Sequence, residues 1–228
     1  MDTLQKTFYV GSCRYQPLFK KIFPPRLHTT SEIINFLKNY KTIDLNQVDA
    51  NQVWGDIVHP AIAPQSKAFM DSVDEAFDNI NGVVLEVSTR RVYMDNETPL
   101  NAFYVDYYRA CKDSYKLIVL TDDELHRDLK FIKNHIQNVY GIDKLAVIPH
   151  VNLPLKDGST ISERVSLCRV LETICTDLDI VYIDLAKIYC LNTNTTLYLD
   201  DILPNQIHYD TDKQIELIVK HLQHLGWE

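Results

Sequence analysis

The sequence predicts an α/β protein, a three-layer α/β/α sandwich around a mainly parallel five-stranded sheet. Short apolar runs rich in β-branched and aromatic residues alternate with amphipathic segments of helical period. That alternation calls for βαβ units, whose parallel strands are covered on both faces. The 228 residues, 46% of them apolar, are enough for one sizeable core. Six glycines and nine prolines are scattered, with no Ser/Gly linker, low-complexity tract or internal repeat. A single domain over residues 1–228 is therefore expected.

The elements follow in chain order. Thr7 to Val10, Thr42 to Val48, Val83 to Val87, Leu145 to Ile148 and Ile180 to Asp184 read as strands. Ile33, Ile34, Leu37 and Tyr40 share one helical face, and Thr29 with Glu32 supplies a capping box at its start. A second amphipathic segment carries Phe69, Met70, Val73, Ala76, Phe77 and Ile80. The clearest helix begins after Thr121, with a Thr121–Glu124 box, a stripe of Leu125, Leu129, Ile132, Ile136 and Val139, and Gly141 at its end. A third box, Thr160 with Glu163, opens a helix through Leu167, Leu171, Ile174 and Leu178. The last helix runs from about Asp212 to Leu225 and stops at Gly226. Phe103, Tyr104, Tyr107, Tyr108 and Cys111 give the region around 94–120 the look of a helical insertion, with Lys116 to Leu120 open to a strand reading.

Charge and composition exclude several classes. A formal charge of −8 disfavours a general nucleic-acid binder, because neutralising phosphates needs clustered Lys and Arg. The longest uncharged apolar runs fall far short of the ~20 residues that span a bilayer, and MDTLQK lacks a signal-peptide core. A cytoplasmic protein without a membrane partner is the expectation. Cys13, Cys111, Cys168, Cys175 and Cys190 are odd in number and poorly placed for a disulfide framework. No CxxC pair or HxxxH helix offers a zinc site, so no metal is expected.

In open α/β sheets, ligand groups gather at the carboxyl ends of the strands. The first strand ends there in Gly11-Ser12-Cys13-Arg14, a sharp turn carrying a hydroxyl, a thiol and a guanidinium. The third predicted strand ends in Ser88-Thr89-Arg90-Arg91, the fourth in His150-Val151-Asn152, and Leu203 to His208 precedes the final helix. A nucleophile on the first turn and a histidine before the last helix are the chain ends of a catalytic set that the fold would bring together. Arg14, Arg90 and Arg91 would form a cationic patch suited to a carboxylate, sulfate or phosphate. His28, His126, His135, His221 and His224 read as surface residues.

"YVGSCR" together with "LPNQIHYDTDKQIELIVKHL" resembles the SGNH, or GDSL-like, hydrolase superfamily, in particular its divergent members with a GSC or GNC turn. The resemblance implies a flavodoxin-like strand topology and acyl-ester chemistry, with relatives that modify polysaccharides. Carried over by position, Cys13 falls where the family has its nucleophilic serine and Ser12 where it has the aspartate. His208 falls at the base, but the usual Asp-x-x-His reads Asn205-x-x-His208 here. A thiol can lose its proton before attack and needs less help from a carboxylate, so a Cys13–His208–Asn205 set is self-consistent. Ser12 is the alternative nucleophile, and Asp200 and Asp201 are alternative orienters.

The family's oxyanion hole implies donors at the nucleophile turn, at a glycine after the second strand, here Gly55, and at an asparagine after the third strand. "LEVSTRR" lacks the family's Gly-x-Asn-Asp, leaving Ser88, Thr89 or Arg90 as substitutes. One lost donor can cost roughly 3 kcal/mol of transition-state stabilisation. The implied substrate is an acylated glycan or similar polar molecule. No cofactor is expected, with acetyl-CoA as the acyl donor if the enzyme is a transferase. The rival expectation is a non-catalytic member of the fold that holds an anionic sugar or an acidic partner segment.

Overall fold

The parallel sheet is built from strands that sterics and burial both favour. The computed structural model describes residues 4–11, 19–22, 27–39, 74–75, 77–78, 80–100, 115–192, 198–199 and 212–227. Within them β1 (Leu4–Val10), β2 (Phe19–Ile22), β3 (Gly82–Val87), β7 (Lys144–Pro149) and β8 (Val181–Tyr182) form one sheet in the order β2-β1-β3-β7-β8. Every pairing is parallel, and Val10 lies opposite Leu85 while Val87 lies opposite Pro149. Counted along this sheet alone, the order is the 2-1-3-4-5 of doubly wound flavodoxin-like folds.

Helices cover both faces. On one side Phe8, Val10, Val83, Leu85 and Val147 pack against α1 (Thr30–Asn39), α2 (Asp122–Tyr140) and α3 (Ser162–Asp177). On the other, Tyr9, Val84, Ala146 and Ile148 meet α4 (Leu185–Asn192) and α5 (Asp212–His224) through Leu185, Ile188, Val219 and Leu222. The three-layer sandwich expected from the sequence is therefore the architecture found. All six residues of β3 are buried, which is why that strand reads as a continuous run rather than an alternation. Among the described residues, no helix is long and apolar enough to cross a membrane.

Of the three expected capping boxes, the Thr121–Glu124 box forms in full and the Thr29–Glu32 pair caps α1 with its return bond shifted by one residue. Thr29 Oγ1 accepts the Glu32 N–H at 3.1 Å, and the Glu32 carboxylate reaches back to the His28 N–H at 3.0 Å. Thr121 and Glu124 cap α2 reciprocally, and Gly141 ends it in the left-handed region at φ 68. The Thr160–Glu163 box does not form. The N-cap of α3 is Ile161, one residue past Thr160, and its side chain has no acceptor to cap with; the Glu163 carboxylate is ion-paired with Arg91.

The described sheet also holds a strand that the sequence pattern does not announce. The expected strand Thr42 to Val48 lies outside the described residues, and the strand beside β1 is Phe19–Ile22. Its Lys20 and Lys21 hide it from an apolar pattern. The region expected as a helical insertion is β in its described part. β4 (Arg91–Asp95) turns through Asn96, at φ 53, into β5 (Thr98–Leu100), and β6 (Lys116–Val119) pairs antiparallel on the other side of β4. The helix expected over Phe103 to Cys111 lies outside the described residues.

At the far end of α5, Gly226 at φ 82 turns the chain so that Trp227 folds back under the sheet. A Cβ at Gly82 would stand 2.5 Å from the Trp227 ring, so the first residue of β3 is glycine because the indole occupies its side-chain space.

Candidate functional site

The carboxyl ends of β1, β3 and β7 define the site's position. Gly11 follows β1 directly and is buried against β3, where a Cβ would lie 2.5 Å from both Glu86 Cβ and the Tyr9 hydroxyl. Ser12, Cys13, Arg14, Gly55, Asp200, Asp201, Asn205 and His208 all lie outside the described residues. Among the described residues, the segments after β3 and β7 and the start of α3 supply the floor and walls.

Ser88, Thr89 and Arg90 leave β3 in sequence, each differently engaged. The Ser88 hydroxyl donates to the His28 carbonyl at 3.3 Å and lies 3.3 Å from His28 Nδ1, while its N–H donates to the same carbonyl at 3.1 Å. Thr89 Oγ1 accepts the Arg91 N–H at 3.0 Å. Arg90 Nη1 donates to Asp122 Oδ1 at 2.6 Å, whereas its Nε and Nη2 are buried without a hydrogen-bond partner. Arg91 reaches across to Glu163. The expected cationic patch is thus neutralised at two of its three members by carboxylates of α2 and α3.

The structure brings Ser88, Thr89, Arg90 and His150 together on the wall of one cleft of about 700 Å³, opposite Ser162 and Arg164 at the start of α3. His150 divides it from a second cleft of about 200 Å³ lined by Asn152, Cys168, Tyr182 and Asp184. Ser88 and Asn152 therefore serve different cavities, although sequence reasoning grouped them.

Two cysteines can be set aside as nucleophiles. Desolvation pushes the Cys168 thiol up to about 11 and the Cys175 thiol up to about 12. Cys168 also donates to the His150 carbonyl at 3.5 Å. A thiol that stays protonated near neutrality is a packing residue, since the thiolate is the nucleophile.

The sequence reading missed two features here. His28 was expected at the surface, yet it is half-buried with its carbonyl and ring against Ser88, because Leu27 and the Thr29 box pull the start of α1 onto β3. Other histidines are also engaged: His126 pairs with Asp177 at 2.7 Å, and His135 packs beside Phe131 and Tyr140. Glu86, fully buried and hydrogen-bonded by Tyr9, went unremarked. Its signal was visible, since a lone carboxylate within "GVVLEV" has no reason to be in a central strand unless paired.

Fold and site together define a doubly wound α/β protein with its cavities at the carboxyl edge of a parallel sheet. No protein-family model matches the chain, and no curated protein sequence matches it. Similar solved structures include variants and the unaltered form of Axe2, an acetylxylan esterase from Geobacillus stearothermophilus. One variant shares 10% identity at a TM-score of 0.48, covering 100% of this chain and 97% of that one. The unaltered form shares 11% identity at a TM-score of 0.45, covering 99% and 96%. Similarity of this order says nothing of what this chain binds or turns over.

Proposed function

We propose that the chain is an SGNH-like acyl-transfer enzyme acting on an ester of a glycan or similar polar substrate. One observation supports this most: β1 and β3 are neighbours in register up to Val10 and Leu85. Gly11, the first residue of Gly11-Ser12-Cys13-Arg14, therefore follows β1 beside β3, the strand that runs on into Ser88-Thr89-Arg90. Neighbouring strand ends at a carboxyl edge are where a nucleophile and an oxyanion donor must meet.

In this reading Cys13 Sγ attacks the ester carbonyl, its proton passes through His208 to the departing oxygen, and Asn205 orients the imidazole. Water, or a sugar hydroxyl in a transferase, then takes the acyl group and releases the thiol. Thr89 and Arg90 are better placed than Ser88 to meet the developing charge, because the Ser88 hydroxyl already donates to His28. Cytoplasmic location and freedom from cofactors belong to the same proposal.

The test is peptide mass spectrometry after incubation with an activated acetyl ester and, separately, acetyl-CoA, using wild type, Cys13→Ala, Ser12→Ala and His208→Ala. Acetylation confined to Cys13 and dependent on His208 supports the reading, and acetylation at Ser12 reassigns the nucleophile. A second reading, a non-catalytic binder of an anionic sugar or acidic segment, is favoured by the commitment of Ser88 to His28. Absence of any site-selective label would decide for it.

A further inference from the structure

Glu86 breaks the apolar pattern of the central strand, and burying a carboxylate is costly unless hydrogen bonds compensate. Side chains alternate along β3, so Val83, Leu85 and Val87 face α1, α2 and α3 while Val84 and Glu86 face the opposite layer. Tyr9 projects from β1 into that layer, and its hydroxyl donates to Glu86 Oε2 with both side chains fully buried. Gly11 follows two residues after Tyr9 and so lies over the same face. A methyl group there would stand 2.5 Å from both Glu86 Cβ and the Tyr9 oxygen. The backbone of Gly11 therefore rests directly on the hydrogen-bonded pair, with no space between.

We infer that Tyr9 and Glu86 are a positioning pair for the first-strand turn, fixing Gly11 and through it the backbone on which Cys13 follows two residues later. The inference rests on the acyl-transfer reading, in which Cys13 is the nucleophile. Glu86 touches no substrate in this account. It acts through the backbone it supports, and the Tyr9 hydrogen bond holds its carboxylate in one orientation. Misplacing a nucleophile by a fraction of an ångström is enough to lose much of its advantage.

Alkylation of Cys13 by iodoacetamide, followed by peptide mass spectrometry at fixed neutral pH, tests this in Glu86→Ala, Glu86→Gln and Tyr9→Phe. Cys168 and Cys175 in the same digest report general loosening, because both are buried in the folded protein. Glu86→Ala and Tyr9→Phe are expected to slow Cys13 labelling about tenfold, while both buried cysteines stay unlabelled. Glu86→Gln, which still offers a carbonyl to the Tyr9 hydroxyl, is expected to recover the wild-type rate.

An unchanged Cys13 rate in the folded variants overturns the inference. So does labelling of Cys168 and Cys175 that rises in step with Cys13, and a Glu86→Gln rate as slow as that of Glu86→Ala assigns the effect to charge rather than position. If Glu86→Ala does not fold, Tyr9→Phe, which removes a single oxygen, carries the test. A wild-type Cys13 no more reactive than an exposed peptide thiol removes the acyl-transfer reading and the inference with it. A reactive wild type with unaffected variants removes the inference alone.

Discussion

Asp128 on α2 accepts a 2.6 Å hydrogen bond from the hydroxyl of Thr30, the first residue of α1, and a longer one of 3.4 Å from Ser31. One carboxylate thereby ties the start of one helix to the flank of another. Burial raises the Asp128 pKa above its ordinary 3.8, and the two hydroxyl bonds oppose that rise without cancelling it. Such a group holds its proton longer in the folded state, so its contribution to stability is present below pH 3.8 and is lost as pH rises through the folded value. Asp128→Asn removes that loss. Urea melts across this window should show the variant gaining on wild type as pH rises, and a constant difference would refute the assignment. Asp128→Ala, which strands both hydroxyls, is expected to cost about 1–2 kcal/mol.

Gly82 and Trp227 are expected to be strongly coupled. Gly82→Ala places a methyl 2.5 Å from the indole and should destabilise by roughly 1–3 kcal/mol through overpacking. In a Trp227→Ala background the same change meets only Lys144 Cβ, at 3.2 Å, so most of that cost should vanish. A double-mutant cycle that comes out additive would show that the ring is not what keeps residue 82 a glycine.

Cys168 and Cys175 should resist thiol reagents in the native state. With the thiols pushed up to about 11 and about 12, labelling at pH 8 should wait for unfolding, and guanidinium should release it. Fast native labelling of Cys175 would contradict its burial on the inward face of α3.

The Arg91–Glu163 pair should matter little for stability. Both side chains are more than half exposed, at 53% and 70%, and exposed pairs contribute about 0–1 kcal/mol. Glu163→Gln is therefore expected to leave the melting temperature within a degree or two of wild type. Because both residues line the larger cleft, the same variant should make that cleft more cationic, readable on this acidic protein as weaker retention on an anion exchanger.

Much of the sheet was legible because buried parallel strands announce themselves. Val83 to Val87 and Leu145 to Ile148 were found within a residue of their ends, and the Thr121 helix from its cap to Gly141. Phe19–Ile22 was not legible, since four residues with two lysines carry no alternation to read. The Thr160 box failed because the helix takes Ile161 as its N-cap, one residue later than the Thr-x-x-Glu pattern announces. At the site, residue types at strand ends pointed to Ser88, Thr89, Arg90 and His150, which do share a cleft. Sequence could not say that His150 would separate Asn152 from them, because that depends on how α3 packs across β7.

The small antiparallel sheet departs from the main one and returns to it almost at a point. Arg90, where it begins, accepts a 3.0 Å hydrogen bond at its carbonyl from the N–H of Leu120, where it ends. A segment whose two ends meet in this way behaves as a detachable module. Lengthening it alters closure entropy only slowly, by about 0.6 kcal/mol for each doubling, provided Val92 keeps its place in the main core. Wall and foundation can therefore diverge at different rates, and chimeras that exchange residues 91–119 offer a route to new cleft shapes on an unchanged base.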